Sequence, residues 1–371
     1  MSFVWQPTTV PISAHSFNGA RDQIAVSPNS NEVQIYQQDQ TNASGWALSN
    51  TLTEHDKLVT SIDWAPNTNR IVTCSQDRNA YVWNLTPDPE TGAMIWQPTL
   101  VLVRLNRSAT YVRWSPNEEK FAVASGARTI AICQFDKESD WWSSKHIKKP
   151  LRSTVLTVDW HPNSVLLAAG SADGYARVFS AFMKGIDAKP EASAWGERLP
   201  FNTVCGEYTS PTGGWVHSVS FSPSGDVLAF ASHDSTISVV YPGQGMINVP
   251  LPGLPSLSLV FTAEDAIVAA GHDCVPYFYS GSAAGWGLVK SLDQGQAERK
   301  VATATGRLNQ SEAFNRFRSA DSRGISGGAT QQAGKADLPS IYQNSITSVR
   351  IFDQTRVSTS GVDGRVVIWD V

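Results

Sequence analysis

The feature that most constrains this chain is a phrase that returns from one end to the other. "VTSIDWAPNTNRIVTCSQDRNAYVWNL" begins at Val59 and "ATYVRWSPNEEKFAVASGARTIAICQF" at Ala109. "VLTVDWHPNSVLLAAGSADGYARVFSA" follows from Val155 and "VHSVSFSPSGDVLAFASHDSTISVVYP" from Val216. Weaker copies start at Ser16, Leu257 and Ile346, which makes seven units. Their anchor aromatics Trp64, Trp114, Trp160, Phe221 and Phe261 stand 50, 46, 61 and 40 residues apart. Repetition at such a period marks stacked units that cannot bury their faces alone. Each unit reads as a short alternating strand, a Pro-Asn or Ser-Gly turn, an apolar run, a turn with Asp, and another strand. Three strands per phrase and one in the connector make a four-stranded sheet. Such sheets bury both faces only against neighbours around an axis. The expected fold is all-β, a seven-bladed β-propeller.

Two departures from the period carry their own expectations. The seventh unit stops at its third strand, next to Val371. An open sheet edge invites aggregation, so the N-terminal segment 3–12 is expected to supply the missing strand and close the ring within residues 1–371. Before the last blade the repeat breaks: Asp273 and Asp363 are 90 residues apart, against 39 for Asp234 and Asp273. The insertion, residues 291–340, has the Gly- and Ser-rich composition of a flexible loop. Inside it, "NQSEAFNRFRSADSRG" predicts a short helix over 311–322. Ser311 caps its start, Gly324 lies beyond its end, and Phe314 and Phe317 share a face.

Composition narrows the functions open to such a ring. The net charge is −4 and the pI about 6.0, without the basic excess of a general nucleic-acid binder. Cys74, Cys133, Cys205 and Cys274 are too scattered for a metal site and read as packed free thiols. No signal peptide and no apolar run of about 20 residues occurs, so a soluble protein without membrane insertion is expected. Ser232-His233-Asp234 resembles a catalytic triad, but consecutive strand residues project alternately and cannot form a relay. Gly281, Gly285 and Gly287 lack a βαβ context, and Gly334-Lys335 is followed by Ala336 where a phosphate loop needs Ser or Thr. No cofactor, metal or catalytic chemistry is expected. An interaction scaffold is.

One connector, "DWWSSKHIKKPLR", sets Trp141 and Trp142 beside Lys145, Lys148, Lys149 and Arg152. It reads either as an outer strand with a solvated basic edge or as a site for an acidic peptide.

The phrases also resemble a known repeat. Asp77 and Trp83, like Asp363 and Trp369, are six apart, as in WD-repeat propellers. That resemblance implies a buried hydrogen-bonded chain of His, Ser or Thr, Asp and Trp, which only the second unit can complete, with His55, Thr73, Asp77 and Trp83. Longer stretches are more specific. "HDKLVTSIDWAPNTNRIVTCSQDRNAYVW", the run from Arg104 to Phe182, "DAKPEASAWG", "TGGWVHSVSFSPSG" and "IVAAGHDC" resemble the WD-repeat subunit family (subunit 1, about 40 kDa) of the actin-related protein 2/3 complex. The resemblance extends to an insertion before the last blade with an "RFR" segment. It implies a non-catalytic subunit of an assembly that nucleates branched actin filaments, in the cytoplasm and the cortical cytoskeleton. The partners implied are the other subunits of that complex, the actin filament and the acidic tails of nucleation-promoting factors. On this reading Phe314 and Phe317 enter an apolar groove of actin, with Arg316 and Arg318 on acidic surface around it. The alternative is a WD-repeat scaffold for another signalling or ubiquitin-ligase assembly.

Overall fold

Each repeated phrase folds as three antiparallel strands, and the connector behind it supplies a fourth. In the second blade these are Val59–Trp64, Ile71–Ser75, Ala80–Pro87 and Met94–Val101, paired in that order. The computed structural model describes residues 2–39, 41, 45–188, 191–197, 199–293, 338 and 340–371. Within them are seven four-stranded sheets. Blades 1 to 6 span 14–52, 59–101, 109–147, 155–209, 216–250 and 256–291. The expected helix over 311–322, with Phe314, Arg316, Phe317 and Arg318, lies outside the described residues.

The seventh sheet joins the two ends of the chain. Ile346–Ile351, Arg356–Gly361 and Val366–Asp370 take their outer neighbour from Phe3–Trp5, with Phe3 opposite Ile368 and Trp5 opposite Val366. The added strand covers three residues. Beyond it the chain crosses to blade 1, where Ile12 is fully buried and its N–H donates to the Gly361 carbonyl at 3.1 Å.

Apolar side chains form seven clusters, one in each gap between neighbouring blades. Between blades 2 and 3, Val72, Cys74 and Val82 meet Val112, Trp114 and Phe121. At the closing gap, Trp5 and Ile368 meet Phe17, Ile24 and Trp46. A propeller has no single centre, so each blade depends on both neighbours. The anchor aromatics face these gaps beside an outer-strand ring of their own blade: Trp64 lies 5.5 Å from Trp96 and Trp114 5.8 Å from Trp142, each edge to face.

The wide spacing between Trp160 and Phe221 also finds its explanation. The segment after blade 4's third strand folds over the gap to blade 5. Trp195 is buried there, and its Nε1 donates to the Gly225 carbonyl at 2.8 Å. Its near end is tethered by an ion pair between fully buried Lys120 and Asp187.

Candidate functional site

The second blade brings His55, Thr73, Asp77 and Trp83 into one chain of contacts. Trp83 Nε1 donates to Thr73 Oγ1 at 3.0 Å, and Thr73 meets His55 Nε2 at 2.9 Å. His55 Nδ1 lies 2.7 Å from Asp77 Oδ2, and since the carboxylate only accepts, Nδ1 donates. In a neutral ring Nε2 then accepts from the threonine hydroxyl, and every member is satisfied. Burial alone would raise the Asp77 carboxyl. The bond from His55 and the amides of Asn79 and Asp56 hold it below its ordinary range instead. The arrangement ties the turn to the inner strands and leaves no free nucleophile.

The seventh blade solves the same problem with different residues. Trp369 Nε1 donates to Thr359 Oγ1 at 2.8 Å, but the hydroxyl's next partner is Tyr342, at 2.7 Å. Asp363 accepts the Gln343 N–H at 2.8 Å and reaches no histidine. Tyr342 escapes a search for His at a fixed offset, because a phenol reaches the same hydroxyl from a different backbone position.

The adjacent Ser232, His233 and Asp234 are separated by their surroundings. Ser232 is fully buried, His233 Nδ1 lies 2.8 Å from His217 Nε2, and Asp234 accepts from the Thr212 hydroxyl at 2.7 Å. They form no relay. Among the described residues no group of three His, Cys, Asp or Glu could hold a metal ion.

Around the axis the inner strands carry two tiers of bonds that link neighbouring blades. In the first tier, Ser13, Thr60, Thr110 and Thr347 donate to the carbonyls of Val59, Ala109, Val155 and Ile12, each on the following blade. The three threonines sit at a register shift in their inner strand, which leaves each without a ladder partner. In the second tier, side-chain oxygens of Ser16, Asp63, Asp159, Ser220 and Ser258 accept the amides of Trp64, Trp114, Phe221, Phe261 and Val349. The five accepting residues line one axial mouth, a cavity of about 380 Å³. Arg350 crosses it to Asp63 Oδ1 at 2.5 Å, and Arg113 reaches the same oxygen at 3.3 Å. Burial pushes the Asp63 and Asp159 carboxyls up to about 6, although Arg113 opposes the shift at both. No sequence reading pointed to this ring, whose members are far apart in the chain and differ in type from blade to blade.

His15 marks the closing seam. It is fully buried on blade 1, with Nδ1 2.8 Å from Ser360 Oγ and Nε2 3.0 Å from Ser358 Oγ on blade 7. Burial, aided by the charge of Arg113, lowers its pKa to about 3, so the ring is neutral.

The connector 141–152 becomes the outer strand Trp141–Ile147 and the turn after it. Its two tryptophans separate. Trp141 is 43% exposed, whereas Trp142 is 3% exposed, packed on Trp114 and Phe121. Trp142 is therefore core, a correction to the expected surface pair, because adjacent strand residues face opposite sides. Lys145, Lys148, Lys149 and Arg152 are exposed. Lys148 and Lys149 lie just past Ile147, at the opposite end of the strand from Trp141, roughly 20 Å at about 3.3 Å per residue.

Comparison with known proteins places this architecture. The WD domain, G-beta repeat family matches residues 46–84, 144–180 and 202–240, stretches that run into blades 2, 4 and 5. Actin-related protein 2/3 complex subunit 1 of Schizosaccharomyces pombe is 48% identical over 97% of this chain and 96% of its own. The chain belongs to the actin-related protein 2/3 complex subunit 1 family. Subunit 1A-A of Xenopus laevis is 46% identical over 97% of this chain and 94% of its own. Subunit 1 of Saccharomyces cerevisiae is 37% identical over 99% and 97%. The match covers nearly the whole length of this chain and of its relatives, so the family resemblance is one of whole architecture.

Proposed function

We propose that this chain is a non-catalytic propeller subunit of an actin-nucleating assembly of the kind its relatives are named for, working in the cytoplasmic actin cytoskeleton. The observation that carries the reading is the end-to-end match, at 46–48% identity, to proteins named as subunit 1 of the actin-related protein 2/3 complex. The geometry agrees in one respect. Carboxylates and hydroxyls at the axial mouth are spent on holding blades to one another, an arrangement that favours rigidity over turnover.

Within that assembly, the insertion helix with Phe314 and Phe317 is proposed to bind the side of an actin filament, with Arg316 and Arg318 on acidic surface beside it. An amphipathic helix in a groove is a common recognition mode. Two phenylalanines bury roughly 3–6 kcal/mol, less the ordering costs, so the contact is weak alone and adds to others by avidity. Acidic tails of nucleation-promoting factors are proposed to meet Lys145, Lys148, Lys149 and Arg152, with Trp141 as the exposed aromatic. Affinity purification of the tagged chain is expected to recover both actin-related proteins. A complex carrying Phe314→Asp and Phe317→Asp should assemble yet bind filament sides and form branches poorly. Recovery of neither actin-related protein would overturn the subunit reading; wild-type branching by the double variant would overturn the helix alone.

A further inference from the structure

From the cavity beside the basic turn we infer a binding site for a compact polyphosphorylated group, formed by Arg104, Arg128, His146, Lys148 and Lys149. The cavity, about 430 Å³, lies where the turn after blade 2, a turn of blade 3 and the end of its outer strand converge. No carboxylate lines it, although the chain as a whole is acidic. Among the described residues Arg104, Arg128, Lys148 and Lys149 have no ion pair or side-chain hydrogen bond. His146 is held in place by its Nε2, 2.9 Å from the Val103 carbonyl oxygen. Four unpaired cations gathered around one cavity repel each other, and an anion relieves that repulsion.

The backbone fixes where two of these cations start. Arg128 has φ 57° and Arg104 φ 51°, in the left-handed region. Arg128 occupies the turn position at which blades 4 and 7 place Gly174 and Gly364, with φ 86° and 78°. Glycine or asparagine occupies such a conformation more readily than arginine. Blades 2, 5 and 6 place Arg78, Ser235 and Cys274 at this step, so it does not demand glycine, and in blade 3 it brings a guanidinium to the cavity wall. Guanidinium forks suit phosphate oxygens, which they bind bidentately. An acidic peptide fits less well, because the cavity walls hold no aromatic anchor and Trp141 stands at the far end of its strand.

This inference goes beyond the acidic-tail reading. The two share Lys148 and Lys149 and differ in all other residues. The test is calorimetric titration of the full chain with inositol hexakisphosphate, in wild type, R104N/R128N and K145E/R152E. Asparagine tolerates the left-handed backbone, so R104N/R128N is expected to melt no lower than wild type. It should bind at least tenfold more weakly, while K145E/R152E stays within about twofold, since only the first pair supplies direct charge-assisted bonds. Sedimentation with vesicles containing phosphatidylinositol bisphosphate separates the sources. Binding to vesicles as well identifies a lipid headgroup; binding to the soluble compound only identifies a free phosphate ester. No binding of either overturns the inference, as does binding that R104N/R128N leaves unchanged. An Asp- and Glu-rich peptide of equal charge binding as tightly, with the same dependence on Arg104 and Arg128, also overturns it in favour of a peptide site.

Discussion

Replacing Thr73 by Val removes one hydroxyl and almost no volume, yet it should be among the more costly single changes in the second blade. The hydroxyl accepts from Trp83 Nε1 at 3.0 Å and pairs with His55 Nε2 at 2.9 Å, and Thr73 is fully buried. Valine leaves both nitrogens buried without that partner, and a stranded buried polar group costs about 1–3 kcal/mol. With two nitrogens stranded and the added methyl returning about 0.8 kcal/mol, a net loss of about 1–5 kcal/mol is expected. At about 2.1 cal/mol/K per residue the entropy of unfolding is roughly 0.8 kcal/mol/K for 371 residues, which makes the shift in Tm about 1–6 °C. Thr73→Ser keeps the hydroxyl and loses only a methyl, so it should cost about 1 kcal/mol. The assay is urea unfolding of the three proteins, followed by tryptophan fluorescence. Thr359→Val makes the same change in blade 7, where Trp369 and Tyr342 converge on the hydroxyl without His or Asp. Its loss should match that of Thr73→Val. If Thr73→Val unfolds at the wild-type urea concentration, or Thr73→Ser is the worse of the two, the hydroxyl is not what the chain depends on.

Deleting residues 1–12 should expose the edge of Val366–Asp370 and strip buried Trp5 and Ile12 from the closing gap. That is a loss of roughly 5 kcal/mol before ladder bonds are counted; a deletion protein that stays monomeric in gel filtration with an unchanged Tm refutes it. His15 binds its proton near pH 3 when folded and near 6.5 when unfolded, so its contribution is complete above pH 6.5 and fades as pH falls towards 3. Wild type should therefore lose about 2 kcal/mol of its advantage over His15→Gln between pH 7 and pH 5, at 1.36 kcal/mol per unit; an advantage equal at both values counts against a buried neutral ring. Asp63 and Asp159 have the opposite sign, since pKa values raised from 3.8 to about 6 make the folded state bind protons first. Acidification from pH 7 to 5 should accordingly stabilise His15→Gln, and Asp63→Asn should shrink that gain in the same urea titrations.

Legibility in this sequence followed the distance over which each signal acts. The blade count was readable because every blade repeats the same local alternation, so seven weak signals point one way. Trp142 was misread as surface even though its strand was foreseen. Alternation requires one of two adjacent tryptophans to face inward, and only packing on Trp114 and Phe121 selects which. Tyr342 and the axial ring were not readable for a different reason. Their partners come from other strands or other blades, as with Asp63 and Arg350, 287 residues apart, and nothing local distinguishes a serine that bridges blades from one that does not.

The same division of labour bears on where function can reside. Apolar gaps and two tiers of axial bonds make each blade answerable to its neighbours, so the inner strands are committed to closure. Exposed turn tips carry little of that load. A turn needs only a residue that accepts a positive φ, and blades 4 and 7 meet the need with glycine. Blades 2 and 3 place Arg78 and Arg128 at the same step instead. Blades 5 and 6 use Ser235 and Cys274 there, so the turn closes with several residue types and closure gives no reason for arginine. Charge on the turn face does give one, and it makes this rim, between blades 2 and 4, the part of the ring where substitutions should change binding while leaving stability untouched.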